Sequence, residues 1–347
     1  MQKTVAKQIV GPILFIIFSI AALTWLLSGF PRVLILHSYE PSYLWTKSIN
    51  SYLEPGLRAR PYMRYQFYYM DSKFHYDEQI KKTTWRAIKN YAPDLIIAFD
   101  DNAQDLLSTH LSDLPQDTKI IFSGVNGYVD KYDYNGRENI TGVFERKPVN
   151  GVVFALSQFN LVNDTPDKQS LLLLTDGSNS SRIDIETLQN EDWQDFDFQA
   201  ESVTTFTQWK DFISAIDDQR LDYLLVAGYR KLVDDEVTSG DRDRHVNLET
   251  VVEWTQENSP VPVIALNTFG AQDGFAFAIG SSAAEQANTP LLMMDQILKD
   301  QTEPIHIPYQ YGQYYTVAIN DAAAKRFGYE IPIYFYSFAA AANNVYY

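Results

Sequence analysis

The residues able to do binding chemistry in this 347-residue chain fall in short polar clusters, each directly after a short apolar run. Asp100-Asp101-Asn102 follow residues 95–99, and Ser123-Gly124-Val125-Asn126 follow residues 119–122. His37-Ser38-Tyr39 follow residues 32–36; residues 175–180 and Gly228-Tyr229-Arg230 hold the same place after residues 170–174 and 223–227. An aspartate at such a position, Asp100 or Asp101, can pair with an ammonium group. Helix starts after Ser38, Asp101 and Ser178 would present free N–H groups and the positive end of a dipole to a carboxylate. Arg230 can add a bidentate contact. Tyr39, Trp45, Tyr229 and Phe269 offer apolar walls and cation–π faces. These parts suit an amino acid or a related small amine. The candidate ligand-binding set is Ser38, Tyr39, Trp45, Asp101, Asn102, Ser123, Asn126, Glu145, Asp176, Ser178, Asn179, Tyr229, Arg230, Asn267 and Phe269. Plainer roles compete: Asp101 or Asn102 as a helix cap, Asp176-Gly177 as a turn, Trp45 as core, and Arg230 as a surface ion pair with Asp234 or Asp235.

Catalytic and metal chemistry find no support in the residue spacing. The five histidines show no metal-ligand spacing, and His37 reads as a packed or hydrogen-bonding residue. No nucleophile elbow, phosphate-binding loop or dinucleotide fingerprint is present. Residues 131–136 mimic a calcium loop, but Lys131 sits where the first ligand belongs. The expectation is a binding protein that is not an enzyme and carries no cofactor or metal.

The elements that must position these clusters alternate. Runs of β-rich apolar residues at 32–36, 65–70, 95–99 and 119–122 read as strands. Between them, Ile49, Leu53 and Leu57, then Ile80, Trp85 and Ile88, then Ala103, Leu106, Leu107 and Leu111 recur at helical spacing. A strand–helix–strand rhythm implies a parallel sheet with right-handed crossovers, and ligands sit beyond the carboxyl ends of its strands. After an isolated strand at 139–145 the rhythm restarts, with strands near 170–174, 196–203, 223–227, 261–266, 274–280 and 315–319. The fold class is therefore α/β, with two doubly wound lobes that can close about a hinge.

Composition narrows the partners. A formal charge of -16 argues against nucleic acid. The absence of cysteine excludes a disulfide framework and thiolate chemistry. Lys3 and Lys7 precede an apolar run over residues 9–30, about 22 residues and long enough to span a bilayer. It reads as an uncleaved anchor in the inner membrane, or as a signal peptide cut near Gly29, and either places the remainder in the periplasm.

The motifs in order resemble a family. His37-Ser38-Tyr39 with Trp45, Asp100-Asp101-Asn102-Ala103, Phe122 to Asn126, Asn139 to Val143, and Val317 to Asn320 with Ala324, Gly328 and Pro332 are similar to type I periplasmic binding proteins. The resemblance is to the substrate-binding proteins of ABC transporters of the tryptophan/tyrosine-binding kind, relatives of which serve as extracytoplasmic sensor domains. It covers roughly residues 32–332. It implies one lobe at 31–143 plus 270–306 and another at 144–269 plus 307–335, behind a leader at 1–30 and before a tail at 336–347. It implies a solute-binding protein for ABC-type uptake with an ABC permease as partner. The alternative is a membrane-tethered sensing subunit that regulates a separate histidine kinase or diguanylate cyclase. The Tyr-rich end of the chain reads as a partner-docking strand or a frayed end.

Overall fold

The computed structural model describes residues 15–19, 29–159, 169–235 and 245–347. The first sheet is all parallel, in the order β11-β5-β4-β3-β1-β2. Its main strands are β1 (Arg32–His37), β2 (Arg64–Tyr69), β3 (Leu95–Phe99), β4 (Lys119–Val125) and β5 (Ile140–Phe144). The central strand β3 is buried along its whole length, as its unbroken apolar run requires of a strand covered on both faces. Alternate residues face opposite ways. Val33, Ile35, Ile97 and Phe99 pack under α1 (Leu44–Arg58), while Leu34, Leu36, Ile96 and Ala98 pack under α2 (Glu78–Tyr91) and α3 (Asp101–Ser108). The two-residue strand β11 (Gln310–Tyr311) extends this sheet beyond β5.

The second sheet runs β13-β12-β10-β9-β8-β6-β7. Its strands are β6 (Gln169–Thr175), β7 (Phe196–Ser202), β8 (Tyr223–Val226), β9 (Val263–Ala265), β10 (Phe277–Ser281), β12 (Tyr315–Asn320) and β13 (Val345–Tyr346). All neighbours are parallel except β10 and β12. One face is covered by α4 (Val149–Gln158) and α5 (Asn179–Leu188), the other by α6 (Phe206–Ser214), α7 (Leu248–Asn258) and α8 (Phe269–Asp273). The chain crosses between the sheets three times: after β5, between β10 and α9 (Ala283–Leu298), and between β11 and β12.

Two sequence expectations are corrected. The second crossing lies one strand later than expected. β10 pairs with β9 and β12, so residues 270–281 go with the second sheet, and β11 keeps residues 310–311 with the first. The end of the chain is neither frayed nor free. After α10 (Asp321–Arg326), residues 333–341 form α11 (Ile333–Ala341), which buries Phe335 and Ala339 in the second lobe's core. β13 then pairs in parallel with β12. Among the described residues no helix is long and apolar enough to cross a membrane. The run at 9–30 lies outside those residues except for positions 15–19 and 29–30.

Candidate ligand-binding cleft

The carboxyl ends of both sheets converge on one cleft enclosing about 590 Å³, part of it open to solvent. From the first lobe come Tyr39 after β1, Tyr43 and Trp45 at the start of α1, Lys73 after β2, Asp100 after β3 and Asn126 after β4. The first crossing supplies Glu145 and Lys147. The second lobe supplies Asp176 and Ser178 after β6, Asp184 on α5, Tyr229 and Arg230 after β8, and Asn267 and Phe269 after β9.

The first lobe's central feature is Asp100. It is the residue before α3 yet makes no capping hydrogen bond with its side chain. Ser38 does that work from the neighbouring strand: its Oγ accepts from the Ala103 N–H at 2.8 Å and donates to the Phe99 carbonyl at 2.7 Å. Asp100 is thereby left to turn towards the cleft. Its backbone lies at φ 66° and ψ 167°, a region essentially reserved for glycine, and of order 1–3 kcal/mol is stored there. Its Oδ1 accepts from Trp45 Nε1 at 3.0 Å, while Oδ2 is buried with no hydrogen-bond partner among the described residues. Burial, then the charges of Glu145 and Asp101, push this carboxyl well above the usual range, against the pull of Lys73 and Trp45. A positive group placed here would meet a half-satisfied, low-dielectric carboxylate.

Cations stand across from it. Lys73 Nζ lies 4.9 Å from the Tyr39 ring centroid and 5.0 Å from that of Tyr43. Burial opposes its charge, but Tyr43, Asp176 and Asp100 more than restore it. Arg230 donates through one nitrogen to both Asp273 oxygens, at 2.6 and 2.5 Å. Its Nε is buried without a partner among the described residues, and its guanidinium lies 4.6 Å from the Phe269 ring and 5.6 Å from Tyr43. Lys147 is held by Asn267 Oδ1 at 2.7 Å, with Glu145 and Asp184 at 3.6 and 3.7 Å. Burial pushes the Glu145 and Asp184 carboxyls up despite Lys147. The lobes touch above this network, where the Tyr43 and Phe269 rings are 6.2 Å apart.

Asp176 behaves oppositely. Burial would raise it, but Ser181 Oγ, the Ser178 N–H and the Lys231 N–H all donate to it, and the net effect holds its carboxyl low. Gly228 makes that arrangement possible, since a Cβ there would sit 2.1 Å from Ser181 Oγ and 2.8 Å from Asp176 Oδ1.

Of the residues singled out from sequence, Tyr39, Trp45, Asn126, Glu145, Asp176, Ser178, Tyr229, Arg230, Asn267 and Phe269 line the cleft. Five do not. Ser38 is consumed by its capping role. Asp101 accepts from the Tyr132 hydroxyl and from the Asn126 and Gly127 N–H groups. Asn102 donates to Ser72, Ser123 donates to Gln286 on α9, and Asn179 is an exposed residue at the start of α5. The Arg230 partner is Asp273, not Asp234 or Asp235 as a surface pair, and its side chain is 11% exposed. Tyr43, Lys73, Lys147, Ser181 and Asp184 were not anticipated. Tyr43 and Lys73 lie within four residues of strand or helix ends, and that position was the available signal. His37 is a packing residue: it stacks on Phe99 and Tyr69, bonds Asn50, and burial drives its imidazole down to about 3. No group of three or more potential metal ligands occurs among the described residues.

A scan against protein-family models finds no match, and a search of curated proteins finds none either. Solved structures do match. The ligand-free, open form of a substrate-binding protein with adhesive properties from Clostridium difficile has a TM-score of 0.64 at 16% identity, covering 91% of this chain and 98% of that one. An ABC domain in complex with L-Trp from Streptococcus pneumoniae has a TM-score of 0.60 at 16% identity, covering 88% and 98%. The fold is that of a type I periplasmic binding protein. A third structure with this periplasmic-binding-protein fold is in a complex of the TorS sensor domain with TorT in the absence of ligand, at a TM-score of 0.52 and 8% identity, covering 83% and 92%. These likenesses agree with the two α/β sheets described above.

Proposed function

We propose that this chain is an extracytoplasmic solute-binding protein that closes on an amino acid or closely related amine. The observation that carries the reading is Asp100: a buried carboxylate with one oxygen unpartnered, on a strained backbone, facing a cleft. Its proposed role is to receive the ligand's ammonium group. Lys73 and the free Nε of Arg230 are proposed to receive its carboxylate, with Tyr39, Tyr43, Trp45 and Phe269 forming the walls against its side chain. The proposed binding set therefore keeps Tyr39, Trp45, Asn126, Glu145, Asp176, Ser178, Tyr229, Arg230, Asn267 and Phe269. It replaces Asp101 by Asp100 and adds Tyr43, Lys73 and Lys147. The reading entails no catalytic step.

In this account the protein works in the periplasm, tethered through residues 9–30, and delivers its ligand to an ABC permease. A likeness to a structure of a complex that contains a sensor domain supports a second role, in which the liganded form engages a separate membrane signalling protein. Thermal unfolding of the full chain against a panel of amino acids, amines, sugars and nucleosides tests the solute class. A ligand of the folded state raises the midpoint by about 2.7 kcal/mol of stabilisation at a hundredfold excess over its dissociation constant. A rise with amino acids or closely related amines is expected, and a rise confined to sugars or nucleosides would refute the reading.

A further inference from the structure

Four strands end the two sheets, and three of them are protected. β11 and β13 are two residues long, and β7 carries Asp197 and Glu201. Short edges and edge charges are ordinary defences against strand addition. β2 is neither short nor charged beyond its first residue: it is six residues long, and after Arg64 it reads YQFYY. The N–H groups of Arg64 and Met70 donate inward, to the Pro31 and His37 carbonyls of the β1 side. Strand alternation then turns the backbone N–H and C=O groups of Tyr65, Phe67 and Tyr69 outward, where the sheet has no further strand among the described residues. Tyr65 is 37% exposed and Gln66 is exposed.

We infer that β2 pairs with β2 of a second copy of this chain, making one continuous sheet across a two-fold axis. Two copies of one strand related by a two-fold must run antiparallel, and an isologous contact must be its own complement. This edge is. With Phe67 on the axis, Tyr65 opposes Tyr69 of the second copy, so every outward N–H and C=O of these three residues gains a partner. On one face, aromatic side chains meet aromatic side chains, continuing the stack in which His37, Phe67 and Tyr69 already lie with ring planes within 7° of one another. The charges also fit. Arg64 begins the strand, Asp71 immediately follows Met70, and neither has an ion pair among the described residues. Antiparallel pairing sets the Arg64 end of each copy beside the Asp71 end of the other, so the contact is complementary at both ends although each copy carries a net -16.

The chain has no cysteine, which makes cross-linking a clean test. In the full-length protein purified in detergent, Phe67→Cys places two Cα atoms about 5.5 Å apart on the axis, within disulfide reach. Tyr65→Cys places its own pair about 14 Å apart along the strands. Under mild oxidation, Phe67→Cys is expected to give a covalent species of twice 39.8 kDa, and Tyr65→Cys is not. Sedimentation of the cysteine-free chain should give the dimer mass, and Tyr65→Lys, which puts a charge on the exposed edge, should give the single-chain mass with an unchanged circular dichroism spectrum. A single-chain mass for the unmodified protein at its highest soluble concentration would overturn the proposal. So would a dimer that persists in Tyr65→Lys while Phe67→Cys cross-links no better than Tyr65→Cys.

Discussion

At the scale of single residues, the site turns on which of two adjacent aspartates faces the cleft. Sequence allowed either Asp100 or Asp101 as the ammonium partner and put Asp101 in the candidate set, because consecutive side chains at a strand end diverge and nothing in their order says which way. The structure separates them by what each carboxylate touches. Asp101 is saturated by a phenol and two N–H groups, while Asp100 keeps one oxygen free because Ser38 caps α3 in its place. That exchange of roles involves residues 65 positions apart, so no local pattern could have revealed it. It has a pH consequence. Burial raises the Asp100, Glu145 and Asp184 carboxyls in the folded protein. The folded state therefore holds protons more tightly than the unfolded state, and the stabilisation is complete below the unfolded value of about 4. It is lost as pH rises through the raised folded values. Denaturant unfolding of the ligand-free protein should show that loss as pH rises above about 4, over and above the opposite trend from lowered groups such as Asp176. In Asp100→Asn the loss should be smaller and stability at neutral pH higher, as expected where function and stability trade off. A variant with the parent's pH slope would show that Asp100 is not strained by its own charge.

At the scale of elements, strands and helices were legible because their apolar runs are long and regular. Strands were read from apolar runs and helices from spacing of period 3.6, and the candidate set drawn from the ends of these elements holds ten cleft residues. What escaped was the end of the chain. α11 reads IYFYSFAAA, apolar on every side, so periodicity gave it no face and it resembled a frayed tail. Its place is fixed by one side chain: Phe335 is fully buried against Phe159 and Phe277 at 5.7 and 5.4 Å. Phe335→Ala should cost about 3–5 kcal/mol in urea unfolding. Ile333→Ala, two residues away and 78% exposed, should fall within about 0.5 kcal/mol of the parent. Equal effects would mean that the terminal helix does not dock as described. The position of β10 was missed for a related reason. Its small residues Ala278 and Gly280 fit either sheet by pattern, and only hydrogen bonding to β9 and β12 decides.

At the scale of the molecule, two α/β lobes joined by three crossings make a hinge, and charge is concentrated where they meet. Four acidic and three basic side chains line the cleft, and Tyr43, Phe269 and Arg230 already touch across it. A zwitterion would neutralise both poles at once, so ligand and closure are expected to be coupled. The most direct test of that claim is calorimetric titration with L-tryptophan, L-tyrosine and L-phenylalanine, each beside its decarboxylated amine and its deaminated acid. The account predicts that at least one intact amino acid binds, that removing either charged group weakens binding by about tenfold or more, and that Asp100→Asn loses the preference for the ammonium group. A deaminated acid that binds as tightly as its parent amino acid, with Asp100→Asn unchanged, would contradict it.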